Sequence, residues 1–103
     1  MTIEAVTQEL FEASQQRRVC KVKLVGEPAD RTIHPYGICQ TSKNKITVVC
    51  LQVDGFTGAT KLPSYKNLLL KDCESVEALD MRFLVQSNFN PEDPIYKDWV
   101  FHV

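Results

Sequence analysis

Two side chains able to do covalent chemistry lie close together in RTIHPYGIC, residues 31–39: the imidazole of His34 and the thiol of Cys39. With an acid such as Asp72 to orient the imidazole, they would form a nucleophile activated by a general base. The spacing argues against that pair. In an extended strand, residues 34 and 39 face opposite sides and stand about 16 Å apart; a bulge would change the facing but not the distance. His34 therefore reads as a surface or cross-strand residue, and His102, next to last, as peripheral. No G-x-S-x-G, H-E-x-x-H or Gly-rich phosphate loop occurs. The expectation is a binding protein and not an enzyme, with no catalytic residue, no metal and no cofactor.

The four cysteines, Cys20, Cys39, Cys50 and Cys73, contain no C-x-x-C pair, so neither a zinc knuckle nor a thioredoxin-type motif is present. The N-terminus lacks a basic-then-apolar signal, and no apolar run is long enough to span a bilayer. That predicts a cytoplasmic protein with reduced cysteines, most of them packed as small hydrophobes.

These residues need a frame, and 103 residues supply a single domain, 1–103, able to bury about two-thirds of its unfolded surface. Thr2 caps a predicted helix over 2–16 whose apolar stripe is Ile3, Val6, Leu10 and Phe11. RVCKVKLV then alternates, with Cys20, Val22 and Leu24 to one side and Lys21 and Lys23 to the other. GEPAD turns the chain into a strand from Arg31 to about Thr41. Within it, Pro35 requires an edge, bulge or bend, and Gly37 permits sharp coiling or close approach of another backbone. ITVVCLQV, 46–53, is apolar on both faces and reads as the central strand. YKNLLLKDC and ESVEAL give two further short strands, so that the strands of the barrel fill 18–79. MRFLVQSNFNPEDP crosses irregularly, and YKDWVFHV closes the chain, with Trp99 and Phe101 on one side. The fold class expected is mainly β: a small antiparallel barrel of five to six strands with an N-terminal amphipathic helix.

Net charge is only −1, so global basicity does not point to nucleic acid. The charge is nonetheless uneven. Residues 17–45 carry seven Lys/Arg against Glu27 and Asp30, and residues 72–103 carry seven Asp/Glu against Arg82 and Lys97. The expectation is that the two stretches neutralise each other.

RTIHPYGI, the β-branched strand after it, YKNLLLKDCESV and FNPEDPIY fall in an order that resembles the WYL domain family over residues 17–103. Arg31, Pro35 and Tyr36 match its Arg-x-x-x-Pro-Tyr motif, and Tyr65 and Lys66 match the aromatic–basic lead of a later strand. Ile46, Thr47 and Val48 stand where the naming Trp-Tyr-Leu would be, and Leu69 and Cys73 replace an Arg and an Ile. The resemblance implies an Sm-like or SH3-like barrel acting as a regulatory module that senses a nucleotide or single-stranded nucleic acid. On it, Arg31 and Lys66 would meet phosphate, with Lys21, Lys23 or Lys71 assisting, and Tyr36 or Tyr65 would offer a stacking face. The alternative class is a protein-interaction or homo-oligomerisation module with no small ligand, anchored by Trp99, Phe101, Leu10 and Phe11.

Overall fold

The computed structural model describes residues 1–58 and 60–103. Helix α1, Ile3–Gln16, starts where Thr2 Oγ1 accepts the Ala5 N–H at 3.0 Å and Glu4 stands in the first turn. It stops at Arg17, whose left-handed φ of 57° returns its N–H to the carbonyls of Ala13 and Ser14. The buried side is Val6, Leu10, Ala13 and Ser14, rotated from the predicted stripe. Ser14 is accommodated because its hydroxyl donates to the Leu10 carbonyl at 2.8 Å. Ile3 and Phe11 stay largely exposed at the helix flanks, where Phe11 meets Phe101 edge to face, ring centroids 5.2 Å apart.

Six antiparallel strands follow in one sheet: β1 Arg18–Leu24, β2 Arg31–Thr41, β3 Ile46–Gly55, β4 Ser64–Leu69, β5 Cys73–Arg82 and β6 Tyr96–His102. The order is β4-β3-β2-β1-β5, and β6 joins β2. The mainly-β class with an N-terminal helix is as expected, but the sheet is not a closed barrel. A 3-10 turn, Leu70–Asp72, follows β4 and sends β5 across to β1, leaving β4 and β5 at opposite ends of the path.

β2, rather than the predicted 46–53 strand, holds the centre. One edge of it carries β3 throughout; the other carries β1 at residues 31–33 and β6 at residues 37–41. Its register slips between Pro35 and Gly37, so that Tyr36 is the extra residue of a bulge. Pro35 has no N–H to lose there. A Cβ at Gly37 would collide with the Phe101 carbonyl and stand 2.7 Å from the Trp99 ring, so only glycine lets β6 dock. The bulge also brings His34 and Cys39 to one face, against the simple alternation.

The sheet buries apolar side chains on both faces. On the helix face, Val6, Leu10 and Ala13 pack on Cys20, Val22, Ile33, Ile38, Val48 and Cys50. On the outer face, Tyr36, Cys39, Val49 and Leu51 lie with Phe83, Phe89, Tyr96 and Trp99. A bulge at Val100 pairs Phe101 with Ile38 and Trp99 with Cys39, so Trp99 and Phe101 point to opposite faces rather than to one. The predicted crossing segment loses Met81 and Arg82 to β5; its remainder covers the outer face. Among the described residues no helix is long and apolar enough to cross a membrane.

Candidate functional site

Strand alternation divides the four residues expected to meet a ligand. Arg31 and Lys66 lie on the helix face, both near enough to Cys50 to act on it electrostatically. Tyr36 and Tyr65 lie on the outer face, ring centroids 5.9 Å apart. Residues 65 and 66 are strand neighbours, so a single flat face could never hold both.

Arg31 is committed within the chain. Its Nε and Nη2 donate to the two Glu27 carboxylate oxygens at 2.9 and 2.6 Å, and Nη1 donates to Gln52 Oε1 at 3.0 Å. Gln52 is fully buried and donates onward to the carbonyls of Asp54 and Phe56. The guanidinium also sits 5.8 Å from the Phe56 ring centroid. The hydrogen bonds from Arg31 hold the Glu27 carboxyl below its ordinary pKa, and Glu27 raises that of Arg31. Glu27 and Gln52 carried no motif in the sequence; only the fold brings them to Arg31.

Tyr36 is fully buried, with its hydroxyl accepting the Gln86 N–H at 2.9 Å. It offers no free stacking face. Tyr65 does: it is 40% exposed and is pinned by a 2.6 Å hydrogen bond from its hydroxyl to Asn88 Oδ1. Burial raises the Tyr65 pKa, so the phenol stays a donor at neutral pH.

The cysteines are all buried as free thiols. Burial pushes Cys20 up to about 12 and Cys73 up to about 11, and raises Cys39 and Cys50 as well. Cys39 Sγ lies 3.8 Å from Thr47 Oγ1, while His34 stacks on Phe83 at 4.7 Å, so the two make no pair. Asp72 stands beside Cys73 and raises its pKa. Three of the four apolar anchors are taken up within the chain: Leu10 is buried, Trp99 Nε1 donates to the Pro91 carbonyl and Phe101 packs on Phe11, which itself stays 40% exposed.

Charge shows what remains free. β1 lies beside β5 with Lys21 opposite Glu77, Arg18 3.4 Å from Asp80 and Lys23 3.9 Å from Glu74. The basic and acidic stretches thus meet within the chain. Among the described residues, Lys23 is the one lysine in an ion pair; of the others, Lys43, Lys45 and Lys71 are the three that lie together at grooves. These three lysines border two adjoining grooves that share Lys45 and Leu69. One, of about 360 Å³, is floored by Ile3, Ile46, Leu69 and Leu70. The other, of about 220 Å³, adds Thr41, Thr47, Asn67 and Ile95.

Tyr65, Asn67 and Leu69 alternate onto the outer face of β4, so the strand leads from these grooves to Tyr65, although no lining residue is common to the two ends. There, two further hollows share Tyr65 and Asn88, and are lined by Gln86 in one and by Phe89, Asn90, Asp93 and Tyr96 in the other. The result is a trough along β4 with cations at one end, and aromatic rings, amides and one carboxylate at the other. From Tyr65 to Leu69 it runs about 13 Å at the strand rise. Sequence reading found Tyr65 and Lys71, but missed Lys43 and Lys45, which sit in a turn that reads only as a turn.

Comparison with protein families, with curated proteins and with solved structures finds no match.

Proposed function

We propose that this chain is a non-enzymatic binding and regulatory module that takes a nucleotide or single-stranded nucleic acid in the trough along β4. The observation that carries the reading is the placing of three grouped lysines and a half-exposed, hydrogen-bonded Tyr65 at the two ends of strand β4. Phosphate needs the first and a base needs the second. The WYL resemblance supports the same ligand class through a different residue set. Leu69, where relatives carry Arg, lies between Lys45 and Lys71 in the groove, so neighbouring lysines supply the charge that position 69 lacks. Support for an Sm-like or SH3-like bent architecture comes from the helix before β1, the order β4-β3-β2-β1-β5 and the 3-10 turn ahead of β5.

The test is a thermal-shift screen of nucleotides and short single strands at low and moderate salt. A ligand at 100 times its dissociation constant stabilises by about 2.7 kcal/mol. A shift that shrinks with salt and is lost in the Lys43→Ala/Lys45→Ala variant supports the trough. No shift with any of them removes this reading.

A protein-interaction or homo-oligomerisation module is the second reading. It is favoured by the free edges of β4 and β5 and by Leu84, 88% exposed close to the exposed Met81. Concentration-dependent sedimentation that Leu84→Ser abolishes would select it.

A further inference from the structure

A hollow of about 210 Å³ at the far end of β4 from the lysines is lined by Tyr65, Phe89 and Tyr96, with Asn88, Asn90 and Asp93 among them. We propose that it binds a quaternary ammonium group, a trimethylated nitrogen carried by a small solute or by a methylated lysine side chain. The proposal goes beyond the nucleotide reading, because it uses none of the lysines and shares no lining residue with their grooves.

Aromatic faces attract cations, and more strongly where the cation is desolvated. Here the rings are inclined to one another rather than stacked. Tyr65 and Phe89 stand at 69° and 68° to the buried Tyr36 ring, with centroids 5.9 and 4.8 Å from it, and Tyr96 is tilted 54° from Phe89 at 6.2 Å. The walls are also held in place. The Tyr65 hydroxyl donates to Asn88 Oδ1 at 2.6 Å, and Trp99 packs 4.8 Å from Tyr96 and 6.1 Å from Phe89. A cage already ordered loses little side-chain entropy when it is filled.

The polar groups decide which cation fits. Asp93 supplies a negative charge and, among the described residues, makes no ion pair. Glu92 and Asp98 lie in the same stretch, against Lys97. The acceptors, however, are already in use: Asn88 Oδ1 takes the Tyr65 hydroxyl, Asn90 Oδ1 the Glu92 N–H and Asp93 Oδ1 the Ile95 N–H. An unmethylated lysine brings three donors and an arginine five, and a site short of acceptors leaves some of them unsatisfied. A quaternary ammonium brings none. It needs only aromatic faces and an unpaired negative charge, and the hollow has both.

The experiment is titration of the isotope-labelled protein, followed by NMR amide shifts, with four probes. These are choline, its uncharged isostere in which a tert-butyl group replaces the trimethylammonium, and end-blocked lysine in unmethylated and trimethylated forms. Choline and trimethyllysine are expected to shift the amides of Tyr65, Asn88, Phe89 and Tyr96, and the other two probes to bind about tenfold more weakly. Whichever of choline and trimethyllysine binds more tightly tells a free solute from a modified protein as the source. Tyr65→Ala is expected to lose about tenfold in choline affinity. Asp93→Asn, which keeps the acceptor for the Ile95 N–H, is expected to lose about threefold at low salt and less at high salt. A thermal melt of each variant checks that it folds. An isostere that binds as tightly as choline overturns the cation site, and unmethylated lysine binding as tightly as trimethyllysine overturns the choice of a quaternary group. Unmoved amides around the hollow with every probe remove the site altogether. Lys43→Ala/Lys45→Ala is expected to leave choline affinity unchanged while abolishing the nucleotide shift, so either reading can fail without the other.

Discussion

The two faces of the sheet handle their polar groups in opposite ways. On the helix face, charge is turned inward: Arg31, Glu27 and Gln52 satisfy one another and stitch β2 to the end of β3 and to Phe56. On the outer face, the aromatic cluster is buried under the crossing segment, and its polar edge is turned outward as the β4 trough. An arginine that is fully hydrogen-bonded within its own chain is a structural part, however much it looks like a phosphate ligand in sequence. A lysine with no partner is what a site can use. The contrast separates stability from recognition, and substitutions on each side should move only one of them.

The largest effect is expected at Tyr36, which joins the β2 bulge to the crossing segment. Tyr36→Ala empties the middle of the outer core, where the ring packs against Phe83 and Phe89, and should cost about 3–5 kcal/mol in chemical denaturation. Tyr36→Phe keeps the ring and removes only the acceptor for the Gln86 N–H. It should cost about 1 kcal/mol and loosen the trough wall that carries Asn88. Equal losses for the two variants would mean that the hydrogen bond, not the ring, holds the outer face together.

Arg31→Ala comes next and cuts across the sequence expectation most directly. It leaves the partly exposed Glu27 carboxylate and the buried Gln52 amide oxygen without their donor. The expected loss is about 2–3 kcal/mol, somewhat below that for a wholly buried pair. Oligonucleotide affinity at constant folded fraction should not change. A lost affinity with an unaltered melting temperature would return Arg31 to the binding surface and reverse the division of the two faces.

Acidification should weaken the faces in sequence. His34, stacked on Phe83 with its Nδ1 buried and without a partner, has its pKa lowered from 6.5 by burial. The unfolded chain therefore takes up a proton first, and stability falls as pH drops below 6.5 toward the folded value. Glu27 has its pKa lowered from 4.5 by Arg31. Its contribution is fully present above 4.5 and is lost as pH falls through the depressed folded value. Denaturation midpoints between pH 7.5 and 3.5 should show two descents, and His34→Phe should flatten the upper one alone.

What could be read in advance follows from the range of the forces involved. The strand limits around 31–41, the Thr2 cap and the corner at Pro35 and Gly37 are set by local chemistry: a missing N–H, a missing Cβ and a side-chain oxygen at the right offset. The facing of Trp99 against Phe101 was not legible, because the bulge at Val100 exists only once β6 meets β2. The site was half legible. Tyr65 is a large ring on a strand with alternating burial, but the trough around it needs Asn88, Asp93 and Tyr96 from a segment 23 or more residues later. Arg31 misled for the same reason: Glu27 is four residues away in a turn, and neither spacing nor motif announces that the two will pair.

The smallest stability effect is expected where the functional effect should be greatest. Lys43, Lys45 and Lys71 are exposed and without ion pairs, so replacing each with Ala should change stability by no more than about 0.5 kcal/mol. Clustered like charges repel, so the triple variant should be no less stable than the parent at low salt and should converge with it as salt screens the repulsion. If the three lysines were structural, the triple variant would lose stability at every salt concentration, and the outer face would then resemble the helix face rather than oppose it. A melting temperature that holds or rises, together with loss of the salt-dependent part of oligonucleotide binding, is the combination that only a site kept free for a ligand produces.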